Sequence, residues 1–154
     1  MIRSPVVRPF ADQRGVSTIE LALVMPILIM FFAAIVDFAN GFAANLALEN
    51  AASRAVELAS APGQVQKNYD YLKTEAMLAS GRPAEAVTIS AWLECNGARQ
   101  SAFDRVCGDG EQIARYVSVE ITSVFKPTFG WEKLWGAGGV NGIPISGDTV
   151  VRLQ

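Results

Sequence analysis

From Leu21 to Val36 the chain runs through sixteen residues without a charge, and Pro26 is the one member that is not plainly apolar. As a helix rising about 1.5 Å per residue this run spans roughly 24 Å, and Val16 to Glu20 bring it close to the ~30 Å hydrocarbon thickness of a bilayer. A buried core helix normally keeps a polar stripe, and here no polar face exists at any period. The run reads as a membrane segment of near-minimal length, spanning about residues 19–36, with a core helix as the alternative.

The 154 residues suit one such helix and one small folded domain. Thirteen basic and fifteen acidic residues leave a net charge of −2, so no basic surface advertises a nucleic-acid partner. Histidine is absent from the sequence. That excludes a Ser-His-Asp or Cys-His nucleophile pair, an HExxH zinc site and a mixed Cys/His site.

Arg3, Arg8 and Arg14 precede the run against a single Asp12, whereas the first charges after it are Asp37 and Glu49. The positive-inside rule then keeps the N-terminus in the cytoplasm and puts the C-terminal domain outside. In an exported domain Cys95 and Cys107, twelve positions apart, are expected to form a disulfide; two free thiols in a reducing compartment are the alternative. A cleaved secretory signal would need a short apolar core and a small-x-small site, near Ala33-Ala34 or Ala43-Ala44. The run is long for that, and the helical pattern continues past it without a break.

A different processing site precedes the run. Arg14-Gly15 is followed by Val16-Ser17-Thr18-Ile19-Glu20, which puts a lone carboxylate five residues after a glycine. A short basic leader, Gly15, Glu20 and a long apolar helix together resemble the class 3 signal of type IV pilins and pseudopilins. The chain is most similar to the TadE-like family of the tight-adherence (Tad) apparatus, which makes Flp-type pili. The residues that carry this are Arg14-Gly15, Ile19 to Val24, Pro26, Asp37-Phe38 and Leu48 to Ala55, with weaker support in Val150-Val151-Arg152. The resemblance implies cleavage between Gly15 and Val16 by a prepilin peptidase. It also implies residence in a bacterial inner membrane, and pilin or pseudopilin subunits and Tad assembly proteins as partners.

An ionised Glu20 drawn into hydrocarbon would need a partner or a route to water. The new amino group of Val16 on a neighbouring helix would supply one and set the register of the two helices. Equally, Glu20 can sit at the headgroups near a helix N-terminus, where the dipole favours it. Pro26 removes the hydrogen bond to the Ala22 carbonyl and should loosen the helix locally, as membrane helices tolerate.

Beyond the run, Phe38, Phe42 and Leu46 with Ala52, Val56 and Ala59 keep an apolar stripe opposite Asn40, Asn45, Glu49, Asn50, Arg54 and Glu57. Pro62-Gly63 ends it, so one helix is expected over 16–61, with a leader at 1–15 and an extracytoplasmic domain at 62–154. The alanines suit close packing of another helix, and Gly41 is a weak point where a hinge would fit.

The remainder reads in short elements. Gln64 to Ser80 has helical spacing, with Gly81 as its cap. Val87 to Glu94 and Tyr116 to Phe125 alternate as strands, residues 96–112 form a polar loop under the proposed disulfide, and Gly147 to Leu153 is the last strand. The fold class is α+β: a long membrane helix continuing into a small domain with a second helix and about three antiparallel strands. Trp131, Leu134 and Trp135 form either an exposed aromatic contact surface or a turn closing the core. Asp104, Asp109 and Glu111 are the candidate ion site, but their spacing fits no EF-hand and suits a solvated loop equally, so no metal and no cofactor is expected.

Two functions remain open at this point. One is a pseudopilin-like structural or assembly component of a Tad/Flp apparatus, not an enzyme, acting through protein contacts. The other is an unprocessed single-pass anchored module that binds a ligand or envelope component.

Overall fold

Unbroken helical propensity from the apolar run onward produces one long element, α1 (Arg14–Ala59), with Pro26 inside it. It is followed by α2 (Asp70–Ser80), a 3-10 turn at Ala84–Ala86, and strands β1 (Val87–Cys95), β2 (Ala98–Arg99), β3 (Ile113–Phe125) and β4 (Ile143–Arg152). The computed structural model describes residues 14–60, 69–130 and 142–153, with side chains from Thr18 onward. The expected leader up to Gln13, the stop at Pro62-Gly63 and the aromatic group Trp131, Leu134 and Trp135 lie outside the described residues, while Arg14 and Gly15 belong to α1.

The chain divides into two compact units, Met1–Val36 and Asp37–Gln154. In the first, α1 is exposed almost throughout: Ile19, Leu23, Ile27, Ile29, Phe31 and Phe32 each leave more than half of their surface open. It is long and apolar enough to cross a membrane.

In the second unit a sheet of order β2-β1-β3-β4, antiparallel throughout, receives the rest of α1 and α2. The α+β class expected from the sequence holds, with four strands in place of three. The extra strand comes from the expected polar loop: Asn96 and Gly97, at φ 50° and 79°, close a two-residue hairpin that pairs Cys95 with Ala98. β4 also begins earlier than expected, at Ile143, because Pro144 is tolerated there. The amide of Leu153 donates to the Arg115 carbonyl, so odd residues of β4 bond to β3 and the even ones, Pro144 among them, turn their amide side to the open edge. The second helix runs from Asp70 with Tyr69 as its non-helical N-cap, and the expected start at Gln64 lies outside the described residues.

The core is formed by Leu48, Ala51, Ala52, Ala55, Val56 and Ala59 of α1, Leu72 and Ala76 of α2, and Val87, Val117, Val119 and Ile121 of the sheet. On β3 every second residue from Val117 to Ile121 is fully buried, as its alternation requires.

The expected stripe of α1 holds at Ala52, Val56 and Ala59, which are buried in the core, and is corrected before them. Phe38, Phe42 and Leu46 point outward, and the side that meets the head there carries Asp37, Gly41 and Leu48. Small residues select this face because the backbone must approach closely. A Cβ on Gly41 would meet the Phe125 ring at 3.3 Å, and one on Gly147 would lie 2.3 Å from the Glu49 nitrogen and the Leu48 carbonyl carbon. Gly41 is therefore a seat for an aromatic ring, and the alanines pack on the chain's own domain rather than await a second helix.

Candidate interaction surface

Reactive groups do not converge in the described part of the molecule; polar side chains there fasten the long helix to the head. Asp37, the first acidic residue after the apolar run, is only 5% exposed. Its Oδ1 accepts the Thr128 amide at 2.8 Å and its Oδ2 accepts the Phe129 amide at 3.1 Å. Two amides from a turn more than ninety residues away thus satisfy one carboxylate through charge-assisted bonds. Further along, the Ser53 hydroxyl of α1 and the Thr149 hydroxyl of β4 lie 3.1 Å apart. Sequence reading used Asp37 as the first charge after the apolar run and as part of the family resemblance, and gave it no structural role. Its place in the head-facing register, four residues before Gly41, was the available signal.

Cys95 and Cys107 are joined, with their Cα atoms 5.6 Å apart. Around the bond, Asn96 exchanges two hydrogen bonds with the Gln112 backbone, and the Glu111 carboxylate accepts the Gly108 amide at 2.7 Å. Glu111 lies near both sulfurs, yet these are bonded to each other and offer no thiolate; Asp104 and Asp109 are not in that group. Closing a loop of this length is worth about 2–3 kcal/mol in the chain-entropy treatment. Reduction should lower the head's unfolding free energy by that amount in a denaturant titration, and a Cys95→Ser, Cys107→Ser double variant should show the lower stability with or without reductant.

Beside this loop Tyr69 packs edge-on to Phe103, with ring centroids 5.7 Å apart, and the Arg115 guanidinium lies over the Phe103 ring at 5.9 Å. The hydroxyls of Tyr69 and Tyr71 are buried without a hydrogen-bond partner among the described residues. Burial pushes both phenols above their ordinary value of 10.0; at Tyr69 the neighbouring Tyr71 adds to the rise and Arg115 opposes it. A raised folded value favours the neutral form in the folded state, so this contribution is complete below pH 10 and is lost as the pH climbs through the folded value. The head should lose stability above pH 10 in a melting series, and Tyr69→Phe should blunt that loss.

On the outer face of the sheet, Trp92 stacks on Tyr116 at 5.3 Å and Arg99 covers the Trp92 ring at 4.7 Å. The Trp92 indole N–H donates to Glu94 at 2.9 Å. This cross-strand row was missed because Arg99 belongs to the hairpin that sequence reading left as loop.

The residues of the expected processing site lie at the start of α1. Gly15 and Val16 are helical, and the Glu20 side chain is exposed. Exposed large apolar side chains are concentrated on α1, from Ile19 to Leu46.

A family model described as TadE-like protein matches residues 15–57. This agrees with the family resemblance read from the sequence, and the matched segment is almost all of α1. No curated protein and no solved structure matches the chain.

Proposed function

We propose that this protein is a pseudopilin-like structural or assembly subunit of a Tad/Flp pilus apparatus, anchored by α1 and working through protein contacts rather than catalysis. The TadE-like match points to a Tad pilus-associated component, from a family that is structural rather than catalytic. One observation carries the reading: the matched segment 15–57 is a helix whose first half exposes apolar side chains and whose second half holds a folded head.

The finer parts of the reading follow from the flanks. Arg3, Arg8 and Arg14 favour a cytoplasmic N-terminus in a bacterial inner membrane, which puts the head on the periplasmic side. The Cys95–Cys107 bond suits that oxidising side. A prepilin peptidase cuts between Gly15 and Val16, and the freed amine of Val16 pairs with Glu20 of an adjacent subunit, so that two apolar helices lie in one register. Without histidine, the nucleophile and metal chemistries that need an imidazole have no residues to run on.

The test is the mature N-terminus, read by mass and sequence from detergent-extracted protein. A chain starting at Val16, converted by Gly15→Ala into one that keeps its leader, is the expected result. An intact Met1 chain would instead favour an unprocessed anchored binding module, and one starting after Ala34 or Ala44, which has lost most or all of the apolar run, would count against the pilin-type reading.

A further inference from the structure

Asp37 is the one charged residue between Leu21 and Leu48, and its carboxylate is turned inward onto the Thr128 and Phe129 amides. The outward surface of α1 therefore does not become charged where the sequence does. Phe38 is 79% exposed, Phe42 60% and Leu46 40%, and the first exposed charge after them is Glu49. From Leu21 to Leu48 the helix rises about 42 Å, more than the ~30 Å hydrocarbon layer and close to the ~40–45 Å that includes both headgroup zones.

The head adds apolar surface at the same end. Phe129, whose amide is held by Asp37, is 54% exposed, and Ile143, paired with the Phe125 that covers Gly41, is 45% exposed. Lys126, next to Phe125 in sequence, is exposed and is the one charged residue in 121–130.

We propose that this end of the head is a lipid-binding surface: Phe38, Phe42, Phe129 and Ile143 sit in the headgroup layer of the anchoring bilayer, with Lys126 at the phosphates. The inference rests on the membrane-anchor reading and extends it. Aromatic and aliphatic side chains flanked by a cation are the composition that binds in the interface plane, gaining apolar burial and attraction to anionic lipid together. Asp37 is what makes the seat possible, since a carboxylate left outward at this level would face the phosphates.

The full chain, disulfide intact, is placed in nanodiscs of phosphatidylethanolamine and phosphatidylglycerol with a nitroxide on Phe38→Cys, Phe42→Cys or Phe129→Cys. Leu23→Cys serves as the hydrocarbon reference and Leu78→Cys, 76% exposed on the head, as the aqueous one. Collision rates with oxygen and with a nickel chelate are compared. The expected result is an oxygen-to-nickel ratio at positions 38, 42 and 129 several-fold above that at 78 and below that at 23. Ratios equal to that at 78, with 23 still in lipid, overturn the seat and leave the anchor standing. Labels shielded from both reagents overturn it in favour of a protein neighbour on this surface. An aqueous reading at 23 removes the anchor and the seat together.

Discussion

Gly147→Val should undock the helix from the sheet and cost the head about 4 kcal/mol or more, above the 1–3 kcal/mol typical of overpacking a core that can yield. The atoms in the way are the Glu49 nitrogen at 2.3 Å and the Leu48 carbonyl carbon and oxygen at 2.3 and 2.7 Å, all main chain. No rotamer change clears them. The helix must shift, and the shift pulls Leu48, Ala51, Ala52 and Ala55 away from Val117, Val119 and Ile121. For a unit of this size the loss is a fall in melting temperature on the order of 10–20 °C. Ser53→Ala removes one hydroxyl contact at the same interface and should cost only about 1 kcal/mol. Near-UV circular dichroism melts of the detergent-solubilised full chain check both; a Gly147→Val midpoint no lower than that of Ser53→Ala would show that the close approach is not what seats the helix.

This contact also shows where sequence reading stops. Gly147 begins the expected last strand, and the alternation of Val117, Val119 and Ile121 marked the buried face of β3 correctly, because period-2 patterning is a local property. The long helix was legible for the same reason. The head-facing side was read correctly at Ala52, Val56 and Ala59 but not in the turns before them. Phe38, Phe42 and Leu46 are the bulkier apolar residues and so the natural choice, but a strand that passes within backbone contact can only meet Gly41 and the alanines. The choice depends on Phe125 and Gly147, more than eighty residues away in sequence. Pro144 concealed the start of β4, since only its place at an open edge makes a missing donor harmless. The Asn96-Gly97 hairpin was within reach from a dipeptide signal and was absorbed into a polar loop.

The Asp37 carboxylate supports the second large expectation, that Asp37→Ala will cost the head about 3–5 kcal/mol. Two charge-assisted hydrogen bonds are lost, each worth roughly 1.5–3 kcal/mol, and the Thr128 and Phe129 amides are left to find water. Asp37→Asn should fall between wild type and alanine: its oxygen can take one amide, but its NH2 group then opposes the other, donor against donor. The damage should be local before it is global. Hydrogen exchange at Thr128 and Phe129 should rise first, and the Phe125 ring on Gly41 should loosen with it, while Val119 in the centre of β3 keeps its protection until the head melts. Wild-type exchange at those two amides in the alanine variant, together with an unchanged midpoint, would mean that the turn is held by something other than this carboxylate. The two variants together separate the ways the helix is fastened to the sheet: Gly147 allows the backbones to meet, and Asp37 ties the end of the head to the point where the helix leaves its apolar run.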